Sequence, residues 1–94
     1  MYRFIIYGKV QGVYYRKFVS SALQKQGFSG YIKNLSDGSV EVVAEVSDKV
    51  MNGFLQVLQK GSPLSRVERI EHRKTDGITP KSKKFEIRYD ESNE

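Results

Sequence analysis

The chain has 94 residues, 38% of them hydrophobic and 12% aromatic, which suffices for one small core and leaves no room for a second. No apolar run approaches the roughly 20 residues that cross a bilayer, and cysteine is absent, so a membrane span, a secretory leader, disulfides and thiolate chemistry are all unexpected and a cytoplasmic setting is inferred. Sixteen Lys and Arg against eleven Asp and Glu give a net charge of +5, which favours anionic partners without choosing between phosphorylated metabolites, nucleic acid and a merely solvated basic surface.

Arg3 to Tyr7 reads as a first strand, with Phe4 and Ile6 on one face. A helix follows, its apolar stripe formed by Tyr15, Phe18, Val19, Ala22 and Leu23 and its end marked by Gly27. Gly30 to Leu35 is a second strand, and Ser36-Asp37-Gly38 signals a tight turn into a third that pairs antiparallel to it. In that third strand Val40, Val42, Ala44 and Val46 alternate with Ser39, Glu41, Val43 and Glu45, so one face should be apolar and the other wet and partly charged.

Ser47 is the expected N-cap of a second helix, with Asp48 in its first turn and Val50, Met51, Phe54, Leu55 and Leu58 as its stripe before Gly61. A fourth strand lies within Arg66 to Arg73. Val67 and Ile70 are three apart there, which a regular strand would send to opposite faces, so a bulge is expected between them. Thr75 to Lys83 reads as a loop, Phe85, Ile87 and Tyr89 alternate in a last strand forming a hairpin arm with the fourth, and the final residues should fray. The order matches an α+β, ferredoxin-like βαββαβ sandwich. It implies an antiparallel sheet with two helices on one face, strands one and three at its centre, and a single domain over 1–94 with its core at about 2–89.

The chemistry concentrates in Gly8-Lys9-Val10-Gln11-Gly12-Val13-Tyr14-Tyr15-Arg16, a loop with two glycines running into a helix N-terminus. The first amides of a helix lack internal partners, the helix dipole adds positive potential, and glycine lets backbone approach an anion closely. Arg16 adds a charged planar fork suited to phosphate oxygens. The plainer alternative is a turn followed by a solvated arginine. A nucleotide-binding glycine-rich loop fits poorly, because Val10 follows Gly8-Lys9 where Ser or Thr is needed. The one histidine, His72, falls in the fourth strand as a structural or solvated residue, and no His and carboxylate cluster argues for a metal.

These residues resemble the acylphosphatase family. Its first motif stands here as Gly8 to Arg16, and its second as Gly27-Phe28-Ser29-Gly30-Tyr31-Ile32-Lys33-Asn34-Leu35-Ser36-Asp37-Gly38-Ser39-Val40. Gly61-Ser62-Pro63-Leu64-Ser65-Arg66-Val67 and Phe85-Glu86-Ile87 extend the likeness across Tyr2 to Tyr89. The departures are Ile32, Tyr15 where Phe is usual, and Val46 where Gly commonly closes strand three. The resemblance implies hydrolysis of acyl phosphates to a carboxylate and inorganic phosphate by direct attack of water, with no cofactor and no metal. Arg16 would bind the phosphate, Asn34 would orient the water, and the backbone amides of Gly12, Val13, Tyr14 and Tyr15 would surround the phosphoryl oxygens. Read without the family, Asn34 could simply cap the second strand through its side chain.

Two other readings share this fold. A nucleic-acid-binding module would use the same element order, but it should present stacking aromatics on strands one and three, and Glu41 and Glu45 on the open face would repel phosphates. No nucleic-acid or membrane partner is therefore expected. A non-catalytic anion-binding module is the other reading, against which a short chain holding both Arg16 and Asn34 favours an independent, monomeric enzyme. Beyond the anion site, no side-chain pocket selecting the acyl group is legible.

Overall fold

The computed structural model describes residues 1–75 and 84–89. In chain order it contains strand β1 (Tyr2–Lys9), helix α1 (Tyr15–Lys25), strands β2 (Gly30–Asn34) and β3 (Val40–Ala44), a 3₁₀ turn (Asp48–Val50), helix α2 (Met51–Lys60), and strands β4 (Arg66–Lys74) and β5 (Phe85–Arg88). The sheet order is β4-β1-β3-β2-β5, which puts strands one and three at the centre as expected for a ferredoxin-like α+β fold.

β5 departs from the expected position. It pairs parallel with β2, Gly30 opposite Phe85 and Ile32 opposite Ile87, at the edge of the sheet farthest from β4. The sheet is therefore mixed, antiparallel except at this last pair, and β5 is not the second arm of a β4 hairpin. The placement buries Phe85 beside Gly30, whereas an arm beyond β4 would extend an edge whose side chains are mostly exposed. Most of the loop expected at Thr75 to Lys83, and the tail expected to fray, lie outside the described residues.

The expected bulge is present. Tyr7 faces Arg69 but Gly8 faces Val67, so Glu68 is the extra residue, and the slip returns both Val67 and Ile70 to the helix side, where both pack on the core. That core consists of Phe4 and Ile6 of β1, Ile32 of β2, Val40, Val42 and Ala44 of β3, and the buried stripes of the helices. Each large side chain buried here contributes about 1.5–3 kcal/mol. Phe54 of α2 packs edge-on against Phe28 and tilted against Phe4, both at 4.9 Å between ring centroids. Val46 also joins the core, so it serves packing where a glycine would leave the space unfilled.

Three local expectations are corrected. In α1 the buried line is Tyr15, Val19 and Leu23 flanked by Ser20, while Phe18 is half exposed; the helix is rotated about its axis, so that small Ser20 takes the inner flank. The Ser47 side chain caps nothing. The Val50 amide donates to the Ser47 backbone carbonyl at 3.2 Å in the 3₁₀ turn, which leaves Val50 exposed, outside the buried stripe. The outer face of β3 is not wet: Glu41 and Val43 are buried beneath neighbouring long side chains, because β3 is the middle strand of five.

Candidate active site

The loop Val10 to Tyr14 leaves the end of β1 and turns sharply into α1. Gly12 adopts φ 73°, and Tyr14, the N-cap position, adopts φ 62° and ψ 21°. Tyr14 is the one non-glycine residue with positive φ among the described residues, a conformation that costs an L-residue about 1–2 kcal/mol and is tolerated where surrounding contacts enforce it. No side chain caps α1, and no acidic residue occupies its first turn. The Phe18 amide donates to the Tyr14 carbonyl at 3.1 Å, and the amides that precede it in a helix have no intrahelical acceptor.

Two side chains hold the loop in this shape. The Gln11 amide nitrogen donates to the carbonyls of Leu35 at 2.8 Å and Ser39 at 2.9 Å, fastening the loop to the β2–β3 turn. The Ser62 hydroxyl, itself buried, donates to the Val13 carbonyl at 2.6 Å, fastening it to the segment after α2. The β2–β3 turn is in turn held by Asp37, whose carboxylate accepts from the Ser39 amide at 2.9 Å and the Ser39 hydroxyl at 2.5 Å; these bonds hold its pKa below the usual carboxylate value. Sequence reading assigned no role to Gln11 or Ser62. Their signal was position, since each lies inside a segment that matches the family.

An open pocket of about 540 Å³ lies over the α1 terminus, and Gly12, Tyr14, Tyr15, Arg16 and Asn34 all border it. The expected residues thus meet at one place. Val13 belongs to the same loop, with its side chain turned into the core, so its backbone amide alone is expected to serve the site. Arg16 reaches across the pocket, its Nη1 donating to the Arg88 carbonyl at 3.0 Å and its guanidinium lying 4.9 Å from the centre of the Tyr89 ring. No carboxylate among the described residues pairs with it. β5 therefore orients the arginine, a role that follows only from its place beside β2. Asn34 ends β2 on the helix side of the sheet, and no donor among the described residues reaches its buried Oδ1. A buried carbonyl oxygen without a donor costs about 1–3 kcal/mol, and a molecule in the adjoining pocket could supply one.

The pocket wall contains no Asp, Glu or His among the described residues, and His72 lies elsewhere, stacked on Phe4 at 5.4 Å. Nor do three or more His, Cys, Asp and Glu side chains gather anywhere among those residues in a way that could hold a metal ion. Ile87, Tyr14 and Tyr89 give the pocket an apolar side that sequence reading missed, because it depends on where β5 lies. Tyr15 projects the other way, into the core. Its hydroxyl donates to the Leu58 carbonyl at 2.7 Å, and burial pushes its pKa well above the usual phenol value.

Amide donors, a cation and a neutral acceptor converging on a wall without acids suit an anion of phosphoryl size, and a ferredoxin-like domain so equipped falls in the class of small phosphate-handling proteins. The chain belongs to the acylphosphatase family, whose model matches residues 2–87. It is 40% identical over 91 residues to an acylphosphatase of Bacillus licheniformis, covering 94% of this chain and 97% of that protein. Among solved structures it resembles the acylphosphatase of Bacillus subtilis, with a TM-score of 0.82 at 35% identity over 94% of this chain and 97% of the other. An acylphosphatase from Coxiella burnetii superposes with a TM-score of 0.79 at 28% identity, covering 93% and 90% of the two chains. The protein is accordingly an enzyme, a hydrolase of acyl phosphates with inorganic phosphate as a product.

Proposed function

We propose that the α1 terminus holds the phosphoryl group of an acyl phosphate while Asn34 aims water at the phosphorus. The observation that carries this reading is the buried Oδ1 of Asn34, without a donor among the described residues, on the same pocket as Arg16 and the N-terminal end of α1. Arg16 and the backbone amides from Gly12 to Tyr15 bind the equatorial oxygens, where negative charge is concentrated as the bonds change. Water donates one hydrogen bond to Asn34 Oδ1, which turns an oxygen lone pair toward phosphorus in line with the leaving group. The new P–O bond forms as the phosphorus–acyl oxygen bond breaks, and the electron pair leaves on the carboxylate. The water's proton passes to a phosphate oxygen or to solvent. A carboxylate is a good leaving group, so positioning and charge stabilisation suffice and neither a metal nor a general base is required. The same reading takes the chain as one cytoplasmic, monomeric domain.

The test is hydrolysis of benzoyl phosphate in the presence of a chelator. Wild type should turn over rapidly. Arg16→Ala should lose at least 10²–10³ in kcat/KM, about 3–4 kcal/mol of transition-state stabilisation. Asn34→Ala should lose a comparable factor in kcat while inorganic phosphate still inhibits it at near wild-type concentration. Wild-type turnover in either variant, or activity abolished by the chelator, overturns the mechanism.

A further inference from the structure

The sheet face opposite the helices is more basic than its sequence pattern suggests. Glu41 was the main acid expected there. It is instead buried, paired with Arg3 Nε at 2.5 Å and Lys33 Nζ at 3.8 Å, and Glu45 lies past the end of β3. The charges that remain follow from the β1–β4 register. Arg3 lies opposite Arg73, Tyr7 opposite Arg69, and Lys9 opposite Arg66, with the bulge at Glu68 keeping Arg66 on this outer face. Two carboxylates accompany these rows: Glu71, which is engaged by Arg69 at 3.2 Å and accepts from the Tyr7 hydroxyl at 3.4 Å, and exposed Glu68 at the bulge; at the other edge of the sheet Glu86 pairs with Arg88 at 3.5 Å. Arg73 pairs with no carboxylate among the described residues.

Like charges directly opposite each other weaken a β ladder; Glu41 offsets Arg3 in the Arg3–Arg73 rung, but Arg73 and the Lys9–Arg66 rung have no carboxylate partner among the described residues, so an external anion along them would relieve the repulsion. The face also offers flat stacking surfaces. The Arg69 guanidinium lies 4.2 Å from the centre of the Tyr7 ring and that of Arg88 lies 4.0 Å from the centre of Tyr31. Between Arg3, Tyr7 and Arg73 the surface dips into a hollow of about 400 Å³. A row of cations with aromatic and guanidinium planes beside it is complementary to a chain of phosphates carrying planar bases. A duplex hides its base faces, and a membrane would need apolar side chains to insert, of which these rows offer only half-buried Ile5.

We infer that this face binds single-stranded nucleic acid, with the phosphates along the β1–β4 cations and bases stacked on the Tyr7–Arg69 and Tyr31–Arg88 pairs. The surface is independent of the hydrolytic pocket, which lies at the α1 terminus. A fluorescein-labelled oligouridylate, titrated with the whole chain and followed by anisotropy through a salt series, tests it. Binding should be saturable at low salt, with log K falling by about 0.7 per decade of salt for each phosphate neutralised. The double variant Arg69→Ala, Arg73→Ala should bind at least about tenfold more weakly and lose about 0.7 of slope per arginine. Tyr7→Leu should bind about tenfold more weakly with its slope unchanged. All these variants should hydrolyse benzoyl phosphate at the wild-type rate, which shows that they fold, and Arg16→Ala should bind the oligonucleotide as wild type does. No binding at low salt, undiminished binding by the double variant, or tighter binding to a duplex or to phosphatidylserine vesicles than to the oligouridylate overturns the inference.

Discussion

The two helices lie in one layer on one sheet, yet their N-termini are finished in opposite ways. α2, which has no side-chain cap or acid in its own first turn, is entered through a 3₁₀ turn in which the Ser47 carbonyl takes the Val50 amide and Asp48 supplies a negative charge. α1 is entered through a left-handed tyrosine, with no side-chain cap, no acid, and Arg16 and Lys17 where acids are ordinarily favoured. Both helices carry the same kind of dipole. On the proposed reading, the α1 end serves as a site because no acidic side chain stands before it as Asp48 stands before α2.

An end left open in this way needs support from outside the helix, and Gln11 supplies most of it. Gln11→Ala removes both bonds from Nε2 to the Leu35 and Ser39 carbonyls, which keep only their backbone donors, the amides of Gly38 and Leu35, and the loss of two side-chain bonds should cost about 2 kcal/mol in urea denaturation. Because the same bonds fix the cradle relative to Asn34, kcat should fall about tenfold, with inhibition by phosphate changed less. A stability loss with full kcat would mean that the loop keeps its place without the β2–β3 turn.

An acid placed at the start of α1 would remove this difference between the helices. Lys17 occupies the third position of α1, where a glutamate interacts well with the helix terminus and can reach back to the N-cap amide. Lys17→Glu should therefore stabilise the fold by about 0.3–1 kcal/mol while lowering kcat/KM for benzoyl phosphate about tenfold, because the new charge faces the substrate's phosphate. Thermal melts and initial rates on one preparation check both signs. Unchanged or higher activity would mean that the open terminus is not where the anion binds.

Much of this was legible in the sequence, for identifiable reasons. The spacing of Val67 and Ile70 announced a bulge because side-chain alternation admits few exceptions. The loop from Gly8 to Arg16 drew attention because two glycines run into a helix N-terminus beside an arginine, and the structure brings Gly12, Tyr14, Tyr15, Arg16 and Asn34 to one pocket. What stayed hidden depended on contacts between distant segments. The place of β5 beside β2 fixes Arg16 through the Arg88 carbonyl and brings Tyr89 to the pocket, and no local pattern in Phe85 to Tyr89 specifies which edge it joins. Glu41 looked like an outward acid by alternation, yet the centre of a five-stranded sheet is covered on both faces.

The smallest expected effect joins the two helices directly. Tyr15, the first residue of α1, sends its hydroxyl to the Leu58 carbonyl in the last turn of α2, one of the groups a helix C-terminus leaves unpaired. A phenylalanine would keep the ring and lose that bond, so Tyr15→Phe should cost about 1 kcal/mol at neutral pH, or several degrees in Tm, and leave kcat unchanged. Alkaline pH should reverse the order. The buried phenol has its pKa raised above the ordinary 10.0, so the folded state keeps a proton that the unfolded chain has released. The stabilisation is complete below pH 10 and is lost above it at up to about 1.4 kcal/mol per pH unit. Phenylalanine has no proton to lose, and the other groups titrate alike in both proteins. Their melting temperatures should therefore cross within about one pH unit above 10; parallel curves through that range would show that Tyr15 has no special hold on its proton and that its ring alone couples the helices.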